Sequence, residues 1–249
     1  MSTRRRAEAL GALALVSFGA SAADRQSLDD AWWTGPLLAA GAATLPQGRV
    51  LVQPYVFDVI RTGASRTHGY RSLTYLLYGV TDKLTAGIIP GSTELQLSDL
   101  TLHAQYRLSQ FREGGWLPAT SIAIQHSLPV GEQRTTVALR SQYYLWMPNG
   151  RILRTRFHVS HADAATRDVI ALNSSWEYSV TRNWVFALDF VYQHDDNKGS
   201  DSAWRFGVAP AIEYNWSRSV GVIVGARWYV AGRNSNATVT PMAAINLLF

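Results

Sequence analysis

The sequence holds no cysteine, only two lysines against 21 arginines, and no long apolar run beyond residue 22. Without cysteine there is no disulfide, no thiolate metal site and no cysteine nucleophile. Without a later run of roughly 20 apolar residues there is no helix to span a membrane. The lysine shortage reads as genomic base composition. Neither G-x-x-x-x-G-K nor H-E-x-x-H occurs, and no cofactor is expected. Net charge is +5, and removing a leader that carries three arginines and one glutamate lowers it to +3, too little for nucleic-acid binding.

What is present begins with an export signal. Arg4-Arg5-Arg6 forms a positive n-region, Leu10 to Ala20 an apolar core, and Ala20-Ser21-Ala22 a small-residue cleavage site. Residues 1–22 are therefore expected to be removed near Ala22 and the remainder exported without a helical anchor. Residues 23–48, with Trp32-Trp33 and a Gly/Ala/Pro-rich stretch, read as an irregular extension in the periplasm or the lumen of a barrel. Residues 49–249 change character, because apolar and polar residues then alternate with a period of two.

The last stretch shows this best. Val239, Pro241, Ala243, Ile245, Leu247 and Phe249 make an apolar row, and Thr238, Thr240, Met242, Ala244, Asn246 and Leu248 a mixed one. A final strand ending on Phe249 resembles the one through which the barrel-assembly machinery takes up bacterial outer-membrane barrels. Eleven further strand-length segments precede it: 49–60, 72–80, 84–90, 99–108, 117–128, 136–147, 151–160, 167–178, 184–193, 204–216 and 220–230. Connections alternate between short and long, as short inner turns and longer outer loops require, with exceptions after 84–90 and 99–108 that leave ten strands as an alternative.

The faces make the membrane case. Trp184, Phe186, Leu188, Phe190 and Tyr192 share one face of their strand, and Trp204, Phe206, Val208, Pro210, Ile212, Tyr214 and Trp216 one face of the next. Each row begins and ends in Trp or Tyr, and amphipathic rings settle at the two interfaces of a bilayer. The expected fold is all-β: a transmembrane antiparallel up-and-down barrel of twelve strands. A mean hydropathy of −0.06 with 47% hydrophobic residues fits a wall whose inner half is polar.

Parity then assigns the lumen. Arg107, Arg140, Arg154, Arg156, His158, Glu177, Asp189, Arg205, Glu213 and Arg227 are its charged or titratable candidates, six arginines against three carboxylates. Arg205 is expected to pair with Glu213 or Asp189. The remaining arginines either brace the wall as a ladder or leave a positive field that selects anions.

Leu45-Pro46-Gln47-Gly48 followed by Gln53-Pro54-Tyr55-Val56-Phe57, the turn Tyr78 to Leu84, and Leu128-Pro129-Val130-Gly131 carry a resemblance. So do Glu177 to Trp184 and Pro210 to Trp216. The chain resembles the outer-membrane barrel family named for phenol-degradation meta-pathway (MetA-pathway) proteins. That resemblance implies a transporter, with aromatic or other hydrophobic carbon sources as cargo, and carries over no substrate-binding residue. His158-Val159-Ser160 with Asn173 also resembles the outer-membrane phospholipase. There, however, His and Ser face lipid, and here parity turns them inward.

The expectation is a passive outer-membrane transporter, or porin-like channel, for small hydrophobic or aromatic solutes in a Gram-negative bacterium. The alternative is a sealed structural or lipid-contacting barrel, with a lipid hydrolase behind both. Arg61, Arg66, His68 and Arg71 cluster where they would meet lipopolysaccharide phosphate. His194, Asp195, Asp196 and Asp201 read as a solvated outer loop before a cation site.

Overall fold

The computed structural model describes residues 37–62, 66–129, 134–146, 152–164, 167–197 and 201–249. The leader, Trp32-Trp33 and the 148–150 link between two of the expected strands lie outside them. The described chain is all β: β1 (Val50–Asp58), β2 (Ile60–Arg61), β3 (Tyr70–Thr81), β4 (Leu84–Thr93), β5 (Gln96–Ser109), β6 (Ala119–Pro129) and β7 (Arg134–Trp146). There follow β8 (Ile152–Ala164), β9 (Arg167–Ser179), β10 (Trp184–Asn197), β11 (Ala203–Asn215), β12 (Val220–Arg233) and β13 (Thr238–Leu248).

Every strand from β3 onward pairs antiparallel with the next, and β1 returns to β13 with Leu51 opposite Leu248 and Tyr55 opposite Ala244. Val50 and Phe249 exchange main-chain bonds of 3.1 and 2.9 Å at the seam. The sheet therefore has no free edge, which is what a sheet in hydrocarbon requires. At Val59 the strand is interrupted without a change of register, its N–H going to the Gly69 carbonyl at 2.9 Å, and β2 continues against β13. β1 and β2 are one stave, so the closed barrel has twelve. Both ends of the barrel chain lie at the same rim, called here the terminal rim.

Alternation decides which side chain faces where. On β10, Trp184, Phe186, Leu188 and Tyr192 are exposed on the outer wall while Val185, Asp189 and Val191 are buried. On β13, Pro241 and Ile245 are exposed and Thr240, Met242, Ala244 and Asn246 buried. The outer wall is apolar and the interior polar, the reverse of a soluble barrel.

Strand ends differ from those read in the sequence. The link expected after Pro90 is a two-residue turn, Glu94 and Leu95 at φ 51° and 66°, the left-handed pair that a tight hairpin needs. β10 likewise runs on to Asn197, placing His194, Asp195 and Asp196 in a strand rather than a loop. The alternation of short and long connections is thus not found, and the long 110–118 link sits at the terminal rim. Charged residues in these strands mark where the bilayer stops, not where the β-ladder stops.

Candidate functional site: the plugged lumen

Twelve staves enclose more space than an eight-stranded barrel, whose interior side chains fill, and less than a sixteen-stranded pore. Here residues 37–45 enter that space. Ala39 and Ala42 are fully enclosed, and the Leu37 methyl lies against the site where a Gly225 side chain would begin. The segment has no regular secondary structure, so its backbone groups need partners from the wall. Asp189 accepts the Leu38 N–H at 2.8 Å, and Thr85 Oγ1 accepts the Leu45 N–H at 2.8 Å. The Gln105 amide donates to the carbonyls of Gly41 and Ala43, both at 3.1 Å. At the rim, Thr44 Oγ1 donates to the Asp82 carbonyl at 2.6 Å, and the Asp82 carboxylate accepts the Gln47 N–H at 3.0 Å. The small residues of the Ala-Gly run let this backbone approach the wall: a Cβ on Gly41 would come within 2.8 Å of Arg156 Nη1.

Opposite β1, the wall is a polar cluster. Glu177 on β9 pairs with both Arg154 and Arg156 on β8, the Arg156 Nε contact being 2.8 Å. The register sets Arg154 directly across from Glu177, and Arg156 is on the same inward face two residues on. Arg140 on β7 donates to Gln105 Oε1 at 2.5 Å, and Gln142 bonds Tyr144. All three arginines and the glutamate are buried.

The β1 and β3 side is different. Leu51, Tyr55, Leu73, Tyr75 and Leu77 point inward, with Tyr55 and Tyr75 edge-to-face at 5.9 Å. Leu37, Ala209, Ala211, Ile223, Met242 and Ala244 complete a small apolar core with Tyr55. A cavity of about 360 Å³ lies between the two sides, bounded by the 37–45 segment, Tyr55, Tyr75, Gln105, Arg140 and Arg156. A second, about 270 Å³, opens toward the other rim between Phe57, Arg71, Leu73, Asp99 and Gln125.

The predicted lumen residues are mostly where parity placed them. His158 faces inward, 3.3 Å from Asn173, so the lipase-like arrangement lacks a histidine on the lipid face. Arg205 does not pair with Glu213 or Asp189: it donates to Gln193 Oε1 at 2.8 Å and lies 4.4 Å over the Tyr229 ring. Arg227 covers the same ring at 5.1 Å. Glu213 accepts from Asn215 at 2.9 Å, and Asp189 holds the plug. The partner that Arg205 was expected to need is replaced by an amide and an aromatic face, because Gln193 stands directly across from Arg205, while Asp189 lies opposite Ala209 and Glu213 opposite Val185. Arg107 stands apart, at the terminal rim beside Lys83 and Arg112. Sequence reading missed Thr85, whose alternation within β4 was a usable signal, and Asp82, which looked only like a turn residue. Among the described residues no group of His, Asp and Glu could hold a metal ion.

This barrel is similar to solved structures of outer-membrane proteins. One is the COG4313 outer membrane channel from Pseudomonas putida F1: 13% identity, TM-score 0.61, covering 87% of this chain and 100% of that one. The fold is that of outer-membrane β-barrels. The NanC porin is similar at 10% identity and TM-score 0.56, over 78% of this chain and 98% of that one. The KdgM porin in complex with disordered oligogalacturonate follows at 8% identity and TM-score 0.52, over 79% and 97%. No family model and no curated protein matches the sequence. The resemblance to the phenol-degradation barrels rests on the motifs quoted from the sequence.

Proposed function

We propose that this protein is an outer-membrane diffusion channel of a Gram-negative bacterium for small aromatic or hydrophobic solutes. The observation that carries the reading is the two-sided cavity: Tyr55, Tyr75 and Leu77 on one wall, Gln105, Arg140 and Arg156 on the other. A small ring with one polar group can lay its face against the first wall and its polar group against the second. Arg154 and Arg156 are both tied to Glu177, so they act as a brace and the selectivity lies in the cavity's shape and its hydrogen-bonding side. No energy-coupling feature is needed for diffusion down a gradient.

The 37–45 segment supports a second reading, a sealed structural barrel, because its backbone is tied to the wall at both ends. Permeation separates the two. The exported chain is reconstituted in liposomes, with and without residues 37–43, and influx of benzoate, phenol and a neutral sugar is compared with protein-free vesicles. A channel passes benzoate faster than the sugar, and faster still without the plug. No protein-dependent influx from either form establishes the sealed barrel.

Two contacts belong to the same proposal. At the rim away from the termini, exposed Arg61 and Arg66 would meet lipopolysaccharide phosphate, while His68 is engaged by Asp58 at 2.8 Å and Arg71 lines the outer cavity. Lipopolysaccharide binding that is unchanged after replacing these arginines removes that contact. The last strand, with Phe249 exposed beside the seam, would be the segment presented to the assembly machinery.

A further inference from the structure

We propose that the terminal rim carries a phospholipid site, in which Lys83, Arg107 and Arg112 hold the phosphate and a trough on the outer wall between β7 and β8 holds an acyl chain. The inference rests on the membrane-barrel reading.

Three cations line one rim cavity of about 540 Å³, together with Ser109, Gln110 and Trp116. They come from three places that the backbone draws together. The Arg107 N–H bonds the Lys83 carbonyl at 2.8 Å, fixing those two residues side by side. A bulge between Arg107 and Ser109 then ends regular pairing with β6 and starts the 110–118 link. The link is packed on the rim: Ser109 Oγ donates to the Pro118 carbonyl at 2.7 Å, and the Phe111 ring lies 5.1 Å from Tyr144. At its tip Gly114 takes φ 74° and the Gly115 N–H returns to the Arg112 carbonyl at 2.9 Å, which holds Arg112 over the cavity.

Among the described residues no carboxylate pairs with any of the three side chains. The neighbouring Asp82 carboxylate is taken by the Gln47 N–H, and Glu113, although in the link, does not line the cavity. Three cations lining one cavity with no carboxylate among them set up a positive field that favours an anion over water. Depth identifies which one. Tyr78, near the end of β3, and Tyr106, immediately before Arg107 on β5, are exposed on the outer wall as interface aromatics. The cations therefore sit at headgroup level, one step beyond the hydrocarbon.

The second half of the site adjoins the first. Trp116, 81% exposed, is tied by its carbonyl to the Tyr143 hydroxyl at 2.7 Å. From Tyr143 an outward trough of about 250 Å³ runs between Pro118, Leu139, Phe157 and Val159, its floor made by the smaller Ser141 and Thr155. Register explains the trough, since Ser141 lies opposite Phe157 and Thr155 opposite Tyr143, alternating small and large across the pair. Free phosphate has no use for such a trough; a lipid fills both. An anionic lipid such as phosphatidylglycerol is favoured over phosphatidylethanolamine, whose ammonium the three cations repel.

The test is native mass spectrometry of the full exported chain, refolded in detergent with equal amounts of the two lipids. Wild-type protein is expected to retain one phosphatidylglycerol in preference. Each of Lys83→Gln, Arg107→Gln and Arg112→Gln should lower retention about fivefold. Ser141→Phe should lower it by filling the trough while leaving the cations in place. Heat-modifiable gel migration checks that each variant is folded. Equal retention of both lipids, or undiminished retention by the triple variant, overturns the proposal. Displacement by millimolar inorganic phosphate with no effect of Ser141→Phe also overturns it, leaving a plain anion site. Vesicle flotation separates the two levels of failure. A chain that does not float refutes the membrane reading itself, and one that floats but retains no lipid refutes only this site.

Discussion

Arg154 and Arg156 lie inside the wall and share one carboxylate, whereas Lys83, Arg107 and Arg112 at the terminal rim share none. The residue types are nearly the same and the setting is opposite. In the lumen, two guanidiniums removed from water are offset by the Glu177 carboxylate that both contact, with Glu213 and Asp189 nearby. At the rim, water solvates each cation when no ligand is present, so three can converge without a counter-charge. Buried arginine here braces the wall, and Lys83, Arg107 and Arg112 at the rim are open to a ligand.

That contrast can be broken at its strongest point first. Glu177→Gln removes the carboxylate that two buried cations contact directly, and we expect a loss of about 3–5 kcal/mol, measured by urea unfolding followed through tryptophan fluorescence. Adding Arg154→Met should recover part of it, since fewer charges then lack a partner; no recovery would mean that packing, not charge, dominates. Asp189→Ala should cost less, about 1–3 kcal/mol, because it removes the acceptor of the Leu38 N–H. It should also loosen the plug, and a rise in liposome permeation is the sharper readout. The triple rim variant should change unfolding by no more than ~0.5 kcal/mol while losing the lipid. A large stability loss there would place the rim with the lumen and erase the difference. Asp58→Asn, which cuts the half-exposed His68 pair at the other rim, should cost under ~1 kcal/mol and leave permeation unchanged.

The sequence was most legible where one periodicity governs every residue. Trp184 to Tyr192 and Trp204 to Trp216 show their membrane face directly, because each outward position must meet lipid and each interface selects an aromatic ring. The same parity placed Arg140, Arg154, Arg156, Glu177 and Asp189 inside. It failed where polarity and strand length part company: β10 continues through His194-Asp195-Asp196, and Glu94-Leu95 carries no Gly or Asn to announce its turn.

Pairing was another matter. Nothing local distinguishes Glu177 from Glu213 as a partner for arginine; only the register that sets Arg154 opposite Glu177 does so. Likewise, residues 37–45 read as an irregular extension, and only closure of the barrel gives them an interior, with Asp189, Thr85 and Gln105 to accept or supply their hydrogen bonds. The sequence by itself determined the class of fold and the two faces of its wall, because alternation is a property of each strand alone. The plug, the ion-pair brace and the rim site were decided by the tertiary structure, because each depends on which strands become neighbours and how far one slides along the next.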